Sequence, residues 1–353
     1  MLNDTRLRGN DGGNYLHSRN IGSLEVSSIG LGCMSMSMGY GPADDKISAQ
    51  MLNVAIDAGY RMLDTAAMYG NGHNEILIGN TLAHRRDEYV LASKGGFVKS
   101  NDGKPIIDGS ARALQKGCEE SLKRLQTDVI DLYYLHRLDK NIPVEESVAG
   151  LAALVASGKV RAIGLSEVSS ETLRRAHAIH PIAAVQSEYS LWSRTPEARM
   201  LQTCEELGVT FVAFSPLARA FLAGAAKDVT QLPPDDIRCT NARPRFEPEN
   251  FVQNQKLLKP YAAIADRAGC SMAQLALAWL LGQINTAGAR TIVPIPGTKH
   301  PEYAVENAGA GDIELDQVTL SELDELINEN TVSGCRYTNA LMESIDSERD
   351  RDA

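Results

Sequence analysis

No Cys-x-x-Cys pair and no Cys/His cluster occurs in this sequence. Its six cysteines, Cys33, Cys118, Cys204, Cys239, Cys270 and Cys335, stand singly, which argues against a structural zinc and fits thiols kept reduced in the cytosol. Runs of Lys and Arg are also missing, and the net charge is −10. That balance speaks against nucleic acid or an anionic membrane surface as partner and leaves a small molecule. The first 18 residues, MLNDTRLRGNDGGNYLHS, are polar and rich in Gly and Asn. They lack the apolar stretch of a signal peptide, and no later run is long enough to cross a bilayer. A flexible tail over 1–18 and a cytoplasmic location are expected.

What is present suffices for a large core: 43% of the 353 residues are hydrophobic, and nothing in the composition suggests disorder. Eight short apolar runs recur: SSIGLGC (27–33), RMLDTA (61–66), YVLASK (89–94), VIDLYYLH (129–136), VRAIGLSE (160–167), AAVQSEYS (183–190), TFVAFSP (210–216) and RTIVPIP (290–296). Between them lie segments of helical period such as 110–125, 144–158 and 195–208, several ending at a Gly suited to a left-handed cap. Strands alternating with helices build right-handed parallel units, and eight of these close into an α/β fold, the (β/α)8 TIM barrel. The other candidate, a doubly wound open sheet, wants a Gly-x-Gly-x-x-Gly turn after its first strand, and the chain has none.

A barrel of this kind carries its active site at the C-terminal ends of the strands. The second strand is expected to end in Asp64, the third in Lys94 and the fourth in His136, with Tyr69 in the loop after the second. Each residue has an ordinary explanation: Asp64 as a helix cap, Tyr69 as packing, Lys94 as a solvated cation, His136 as a core histidine. Together at one rim they support a specific chemistry. Asp64 pairs with Lys94, Lys94 stabilises the Tyr69 phenolate so that the phenol releases its proton more readily than a free one, and His136 holds a carbonyl oxygen nearby.

The motifs LDTAxxYG, LASKGG, DLYYLHRLD, GLSE, VQSEYSLW, FSPLARAFLAG and IPGTK, in this order, resemble those of the aldo-keto reductase superfamily, closest to its bacterial, pyridoxal-reductase-like and channel-β-like branch. The resemblance spans about residues 19–345. It implies a single barrel domain over 19–345 with an N-terminal β-hairpin and extra helices, followed by a polar tail over 346–353. It also implies an NADPH-dependent reductase of small-molecule aldehydes or ketones, with Asp64, Tyr69, Lys94 and His136 as the catalytic tetrad and Tyr69 as general acid. No metal is expected.

Carried over in the same way, Ser166 and Gln186 match the residues that bind the nicotinamide carboxamide, and Phe214 the ring that stacks on the nicotinamide. Ser215, Leu217 and Arg219 match pyrophosphate contacts, and Gly297, Thr298, Lys299, Glu306 and Asn307 the 2′-phosphate and adenosine contacts. Met34 is counted with the cofactor set. Three departures stand out: Glu167 where many relatives have Asn, Ala-Arg-Ala at 218–220 in place of Gly-Arg-Gly, and Tyr303 where some place a basic residue. The last leaves Lys299 as the main cation for the 2′-phosphate. Met34, Tyr40, Phe97, Trp192 and the segment GCRYTNALM (334–342) could line an apolar pocket, and the long stretch 217–250 suggests a lid. Two other readings are an NADP(H)-binding regulatory subunit resembling channel β subunits, which commonly have Asn at the position of His136, and a barrel hydrolase or isomerase that needs no nicotinamide.

Overall fold

The alternation of strand and helix takes the expected form in a computed structural model that describes residues 16–100, 102–226, 228–283 and 291–350. Most of the stretch read as an N-terminal tail, residues 1–15, lies outside the described residues. The chain opens with an antiparallel hairpin, β1 (Ser18–Ile21) and β2 (Leu24–Ser27), turned at Gly22 with φ +58°. Parallel strands follow: β3 (Leu31–Gly32), β4 (Met62–Asp64) and β5 (Val90–Gly95). After a side hairpin of β6 (Phe97–Lys99) and β7 (Pro105–Ile107) come β8 (Ile130–Leu135), β9 (Val160–Ser166), β10 (Ile182–Glu188), β11 (Thr210–Phe214) and β12 (Ile292–Pro294).

Eight of these strands form one parallel sheet in the order β3, β4, β5, β8, β9, β10, β11, β12. The sheet closes on itself: Gly30 N–H donates to Pro294 O at 2.9 Å, Gly32 N–H to Pro296 O at 3.1 Å, and Gly32 pairs with Gly297. Closure removes the sheet edges and makes the (β/α)8 barrel. The seam leaves no room for side chains, since a Cβ on Gly32 would sit 2.7 Å from Ile295 O.

The two-residue period of a strand divides the apolar side chains into two sets. Met62, Ala92, Leu132, Tyr134, Ala184, Val212 and Val293 fill the barrel interior and meet Ile21, Leu24 and Val26 of the hairpin, which plugs the N-terminal end. Leu63, Leu91, Tyr133, Leu135, Leu165, Val185 and Phe211 point outward into the larger core beneath the helices. Gly164 exists for the inner layer: a Cβ there would lie 2.5 Å from the Tyr134 ring.

Helix boundaries follow capping chemistry. The helix Ala111–Leu125 starts at Ser110, whose hydroxyl accepts from Ala113 N–H at 3.2 Å, and the helix Met200–Leu207 ends on left-handed Gly208. The stretch 195–208, expected as one helix, is split into a short turn at Thr195–Glu197 and this helix.

The chain end departs from its expectation. Residues 346–350, read as the start of a polar tail, form a 3-10 turn with Asp346, Ser347 and Asp350 buried. Asp346 accepts from Ser169 N–H at 2.8 Å, and Asp350 accepts from the Ser170 N–H and, at 2.7 Å, from its hydroxyl. The two acids thus cap the helix Ser170–Ile179, where free N–H groups and the helix dipole favour anions. Ahead of them Arg336 donates to Glu167 Oε2 at 2.6 Å and Oε1 at 3.1 Å, and lies 3.5 Å from Glu188. Polar composition suggested solvent, but the polar groups find partners on the barrel rim.

The seam yields one expected outcome. Gly32→Ala forces a methyl against the Ile295 carbonyl and lowers stability by about 1–3 kcal/mol, the ordinary cost of overpacking, read as a lower urea midpoint. Arg336 yields another. Burial pushes the Glu167 pKa up, but Arg336 outweighs it and holds the carboxyl at about 2. Removing the guanidinium strands a buried carboxylate, so Arg336→Met lowers stability at neutral pH by ~3–5 kcal/mol. The parent loses its ion-pair contribution as pH falls toward about 2, whereas the variant gains by protonating Glu167. The deficit is therefore largest at neutral pH and shrinks as the pH falls, first as the variant's stranded carboxyl takes up a proton above the ordinary carboxylate value of ~4.3 and then as the parent loses its ion pair below it. Urea titrations at several pH values check it.

Candidate active site

Inward alternation brings polar side chains to the interior at the C-terminal end of the barrel. Asp64 pairs in register with Ala92, Lys94 with Tyr134, Tyr134 with Gly164, and Gln186 with Ser166. Asp64, Lys94, Ser166 and Gln186 therefore follow the inner apolar layer on their strands, and His136 comes one residue after β8. Tyr69 comes from the loop after β4. That loop turns through left-handed Gly70, Asn71 and Gly72 and is pinned by buried Asn74, which accepts from the Thr65 hydroxyl at 2.6 Å and donates to Cys33 O and the Ser37 hydroxyl at 2.8 Å.

Lys94, only 1% exposed, donates to Asp64 Oδ1, to Thr65 O at 3.0 Å and to the Tyr69 hydroxyl at 3.3 Å. The other Asp64 oxygen accepts from Gln186 Nε2 at 2.7 Å. Burial works to depress the Lys94 pKa, but Asp64 and Tyr69 outweigh it and the value lies above the ordinary one. Lys94 is thus a fixed cation. For Tyr69 burial is the larger influence and raises the pKa, with Lys94 pulling the other way. Tyr69 thus differs from the expectation that it releases its proton more readily than a free phenol: burial holds its pKa above the ordinary value, and Lys94 lessens that rise.

The His136 imidazole stands edge-on to Tyr69, ring centroids 6.0 Å apart, and to Phe97 at 5.1 Å. Burial first, then Arg137 and Lys94, lower its pKa well below the ordinary value. It is neutral at physiological pH, and Nδ1 has no hydrogen-bond partner among the described residues.

The remaining expected residues surround this center in varied states. Ser166 is buried and its hydroxyl accepts from Arg137 Nη1 at 3.1 Å. Gln186 sits on Asp64, and Phe214 is half-buried at the end of β11. Ser215, Ala218, Arg219 and Ala220 all have left-handed backbones, with φ between 49° and 70°. This conformation costs an alanine about 1–2 kcal/mol, which gives the Ala-Arg-Ala departure a physical consequence: the loop is strained. Leu217 packs on the core. Arg219 is buried, pairs with Glu188 at 2.6 Å and lies over the Tyr337 ring at 4.7 Å, while its Nη1 has no acceptor among the described residues. Met34 is half-buried in the turn after β3.

Gly297 is exposed, and the buried Thr298 hydroxyl accepts from His300 N–H at 3.0 Å. Lys299 Nζ donates to Tyr40 O at 2.9 Å and Pro42 O at 2.7 Å, tying down the loop after β3. Glu306 and Asn307 lie on the helix Pro301–Ala308, Glu306 half-buried and Asn307 buried. Trp192, expected at a pocket wall, is buried and stacked on Phe221 at 4.1 Å. The stretch 217–250 buries Phe221, Leu222 and Phe246 in the main core.

Reading of the residues missed Arg137, Glu188 and Arg336. Arg137 lay inside the quoted DLYYLHRLD motif, next to His136, so its position alone was a signal. Glu188 lay inside the VQSEYSLW motif and Arg336 inside the segment 334–342, but nothing local marks them as partners, for they meet 148 residues apart.

Among the described residues no helix is long and apolar enough to cross a membrane. The aldo/keto reductase family profile matches residues 28–328. A probable aldo-keto reductase 1 from Glycine max is 40% identical over 320 residues, 90% of this chain and 90% of its own length. The glycerol dehydrogenase of Gluconobacter oxydans superposes with a TM-score of 0.79 at 26% identity, covering 88% of this chain and 94% of that one. An aldo/keto reductase from Klebsiella pneumoniae, solved in complex with NADP and acetate, superposes with a TM-score of 0.68 at 30% identity, covering 90% and 96%. With the barrel and the four side chains at its mouth, these likenesses identify the chain as an oxidoreductase belonging to the aldo/keto reductase family.

Proposed function

We propose that this protein is an NADPH-dependent carbonyl reductase of the cytoplasm, converting an aldehyde or ketone to the alcohol with Tyr69 as proton donor. The observation that carries the reading is the buried chain Asp64, Lys94, Tyr69, closed by neutral His136. The regulatory-subunit alternative is disfavoured because His136, commonly Asn in those relatives, is in place beside Tyr69.

The residues present suit such a cofactor. The buried Arg219 Nη1 without an acceptor is the donor that a phosphate oxygen would satisfy. Ser166 and Gln186 would hold the carboxamide, Phe214 the nicotinamide face, Ser215, Leu217 and Arg219 the pyrophosphate, and Met34, Gly297, Thr298, Lys299, Glu306 and Asn307 the remainder. When bound, NADPH supplies the hydride that reduces the carbonyl carbon.

The chain's own residues do the rest. His136 and the Tyr69 hydroxyl converge on the carbonyl oxygen and polarise it by hydrogen bonding. Tyr69 gives its proton to that oxygen as negative charge builds there. Lys94 stabilises the resulting phenolate, and Asp64 keeps Lys94 charged and aimed. Gln186 on the second Asp64 oxygen fixes the carboxylate in turn. Water then returns a proton to Tyr69.

Replacing Tyr69 by Phe removes the hydroxyl alone, so NADPH oxidation with a panel of aldehydes falls ~10²-fold or more while NADPH binding, followed by fluorescence, persists. Parent-like turnover in the Phe variant refutes the assignment. Because His136 is already neutral, kcat for reduction measured from about pH 6 to about pH 8 shows no histidine step near ~6.5; a clear step there speaks against the assigned state.

Two Lys299 N–H groups hold the loop after β3, and the third has no acceptor among the described residues. A charge-assisted bond to a 2′-phosphate is worth ~1.5–3 kcal/mol, so Lys299→Met weakens NADPH by about 10- to 100-fold and NADH little. Equal losses for both cofactors mean that Lys299 acts by holding that loop.

A further inference from the structure

Arg219 sits in a loop that does not hold itself in place. Ala218, Arg219 and Ala220 have φ of 49°, 58° and 70°, a left-handed backbone that any residue with a Cβ disfavours. Such a backbone persists only where its surroundings over-determine it. Two contacts fasten the buried Arg219 side chain. Its Nη2 donates to Glu188 Oε2 at 2.6 Å, and its guanidinium carbon lies 4.7 Å from the centre of the Tyr337 ring. The other Glu188 oxygen, Oε1, accepts from the Ser193 hydroxyl at 2.9 Å. Arg219 meets Glu188 through one nitrogen, and its buried Nη1 has no acceptor among the described residues. A buried N–H left unmade is costly unless a ligand completes it.

Tyr337 is a fixed platform. Before it in the chain, Gly334 O accepts from Arg245 Nε at 3.2 Å; after it, Thr338 N–H donates to Asn241 O at 3.0 Å. The side chain packs with Ala242 and Ile345. Arg336 also lies over the ring, at 4.9 Å, but both oxygens of Glu167 and one of Glu348 answer its N–H groups. Arg219 is thus the guanidinium over this ring that keeps a donor in reserve. A ring face attracts a guanidinium without consuming its N–H groups, whereas a second carboxylate there would occupy them.

We propose that Tyr337 is a positioning residue for the cofactor: its ring, together with Glu188, holds Arg219 so that Nη1 meets a pyrophosphate oxygen. The proposal rests on the reading of Arg219 as a pyrophosphate ligand and adds a residue of the C-terminal segment to the cofactor site.

Binding of NADPH, NADH and 2′-AMP, followed by nucleotide fluorescence and calorimetry, tests this. The last ligand carries the adenosine and the 2′-phosphate but no pyrophosphate. The proteins are the parent, Tyr337→Leu, Tyr337→Phe, Arg219→Met and the double variant with Arg219→Met and Tyr337→Leu. Tyr337→Leu weakens NADPH and NADH alike by about 3- to 30-fold, the worth of a desolvated cation–π contact, and leaves 2′-AMP at its parent affinity. Tyr337→Phe keeps the ring face and restores most of the loss. In the Arg219→Met background Tyr337→Leu costs nothing further, because the group it positions is gone.

Additive losses in the double variant overturn the positioning role. So does a Phe variant as weak as the Leu variant, or a loss for 2′-AMP equal to that for NADPH. If Arg219→Met weakens NADPH but Tyr337→Leu does not, the pyrophosphate ligand stands and Tyr337 alone is overturned. If Arg219→Met binds NADPH as the parent does, the reading of Arg219 fails and the role of Tyr337 falls with it. None of these measurements needs turnover, so they decide the matter whichever carbonyl the enzyme reduces.

Discussion

A lysine ammonium buried within a barrel is tolerable only if a carboxylate sits beside it, and the site is arranged around that requirement. Desolvating an ammonium costs several kcal/mol unless a well-placed partner offsets it. Asp64 provides that partner from the adjacent strand, and Gln186 and Thr65 O complete the hydrogen bonding of the pair. Moving either strand by one residue would turn one of the two charges out of the interior. The seam at Gly32 and Gly297, the plug of the N-terminal hairpin and the space ceded by Gly164 to Tyr134 all serve to hold that register.

A second electrostatic system lies above the first and has a different role. Glu167 and Glu188 are buried, and Arg219 and Arg336 neutralise them. Both guanidinium groups lie over Tyr337, at 4.7 and 4.9 Å, so the C-terminal segment is fastened to the rim by charge and by ring contact together. Glu167 itself sits at φ 55°, a strained backbone kept by its two-pronged bond to Arg336. The strain at 215 and 218–220 adjoins this system, and strained backbone of this kind gathers at sites where a loop must present groups to a ligand. Arg219 joins the two themes: it answers Glu188 with one nitrogen and leaves another without an acceptor among the described residues.

Much of this was legible beforehand. The eight apolar runs are the eight barrel strands, and Asp64, Lys94 and His136 close the second, third and fourth of them because a short apolar run ending in a polar residue marks both a strand and its rim. The helix at 111–125 was equally readable from its helical period. Less legible were energies set by environment. Tyr69 was expected to ionise easily, yet burial outweighs Lys94, and no pattern in the chain reports how dry a site is. Polar residues at 346–350 suggested solvent and instead cap a helix.

The sequence by itself determined the eight barrel strands and the identity of the four residues brought to the mouth. These depend on periodicity and on neighbours a few positions apart. Only the tertiary structure decided that Glu167 and Arg336, 169 residues apart, form one ion pair, that Lys299 holds the backbone at Tyr40 and Pro42, and that Arg137 reaches the Ser166 hydroxyl. The physical reason is that charge pairing depends on distance through space and on the depth of burial, and closing the barrel sets both at once for residues far apart in the chain.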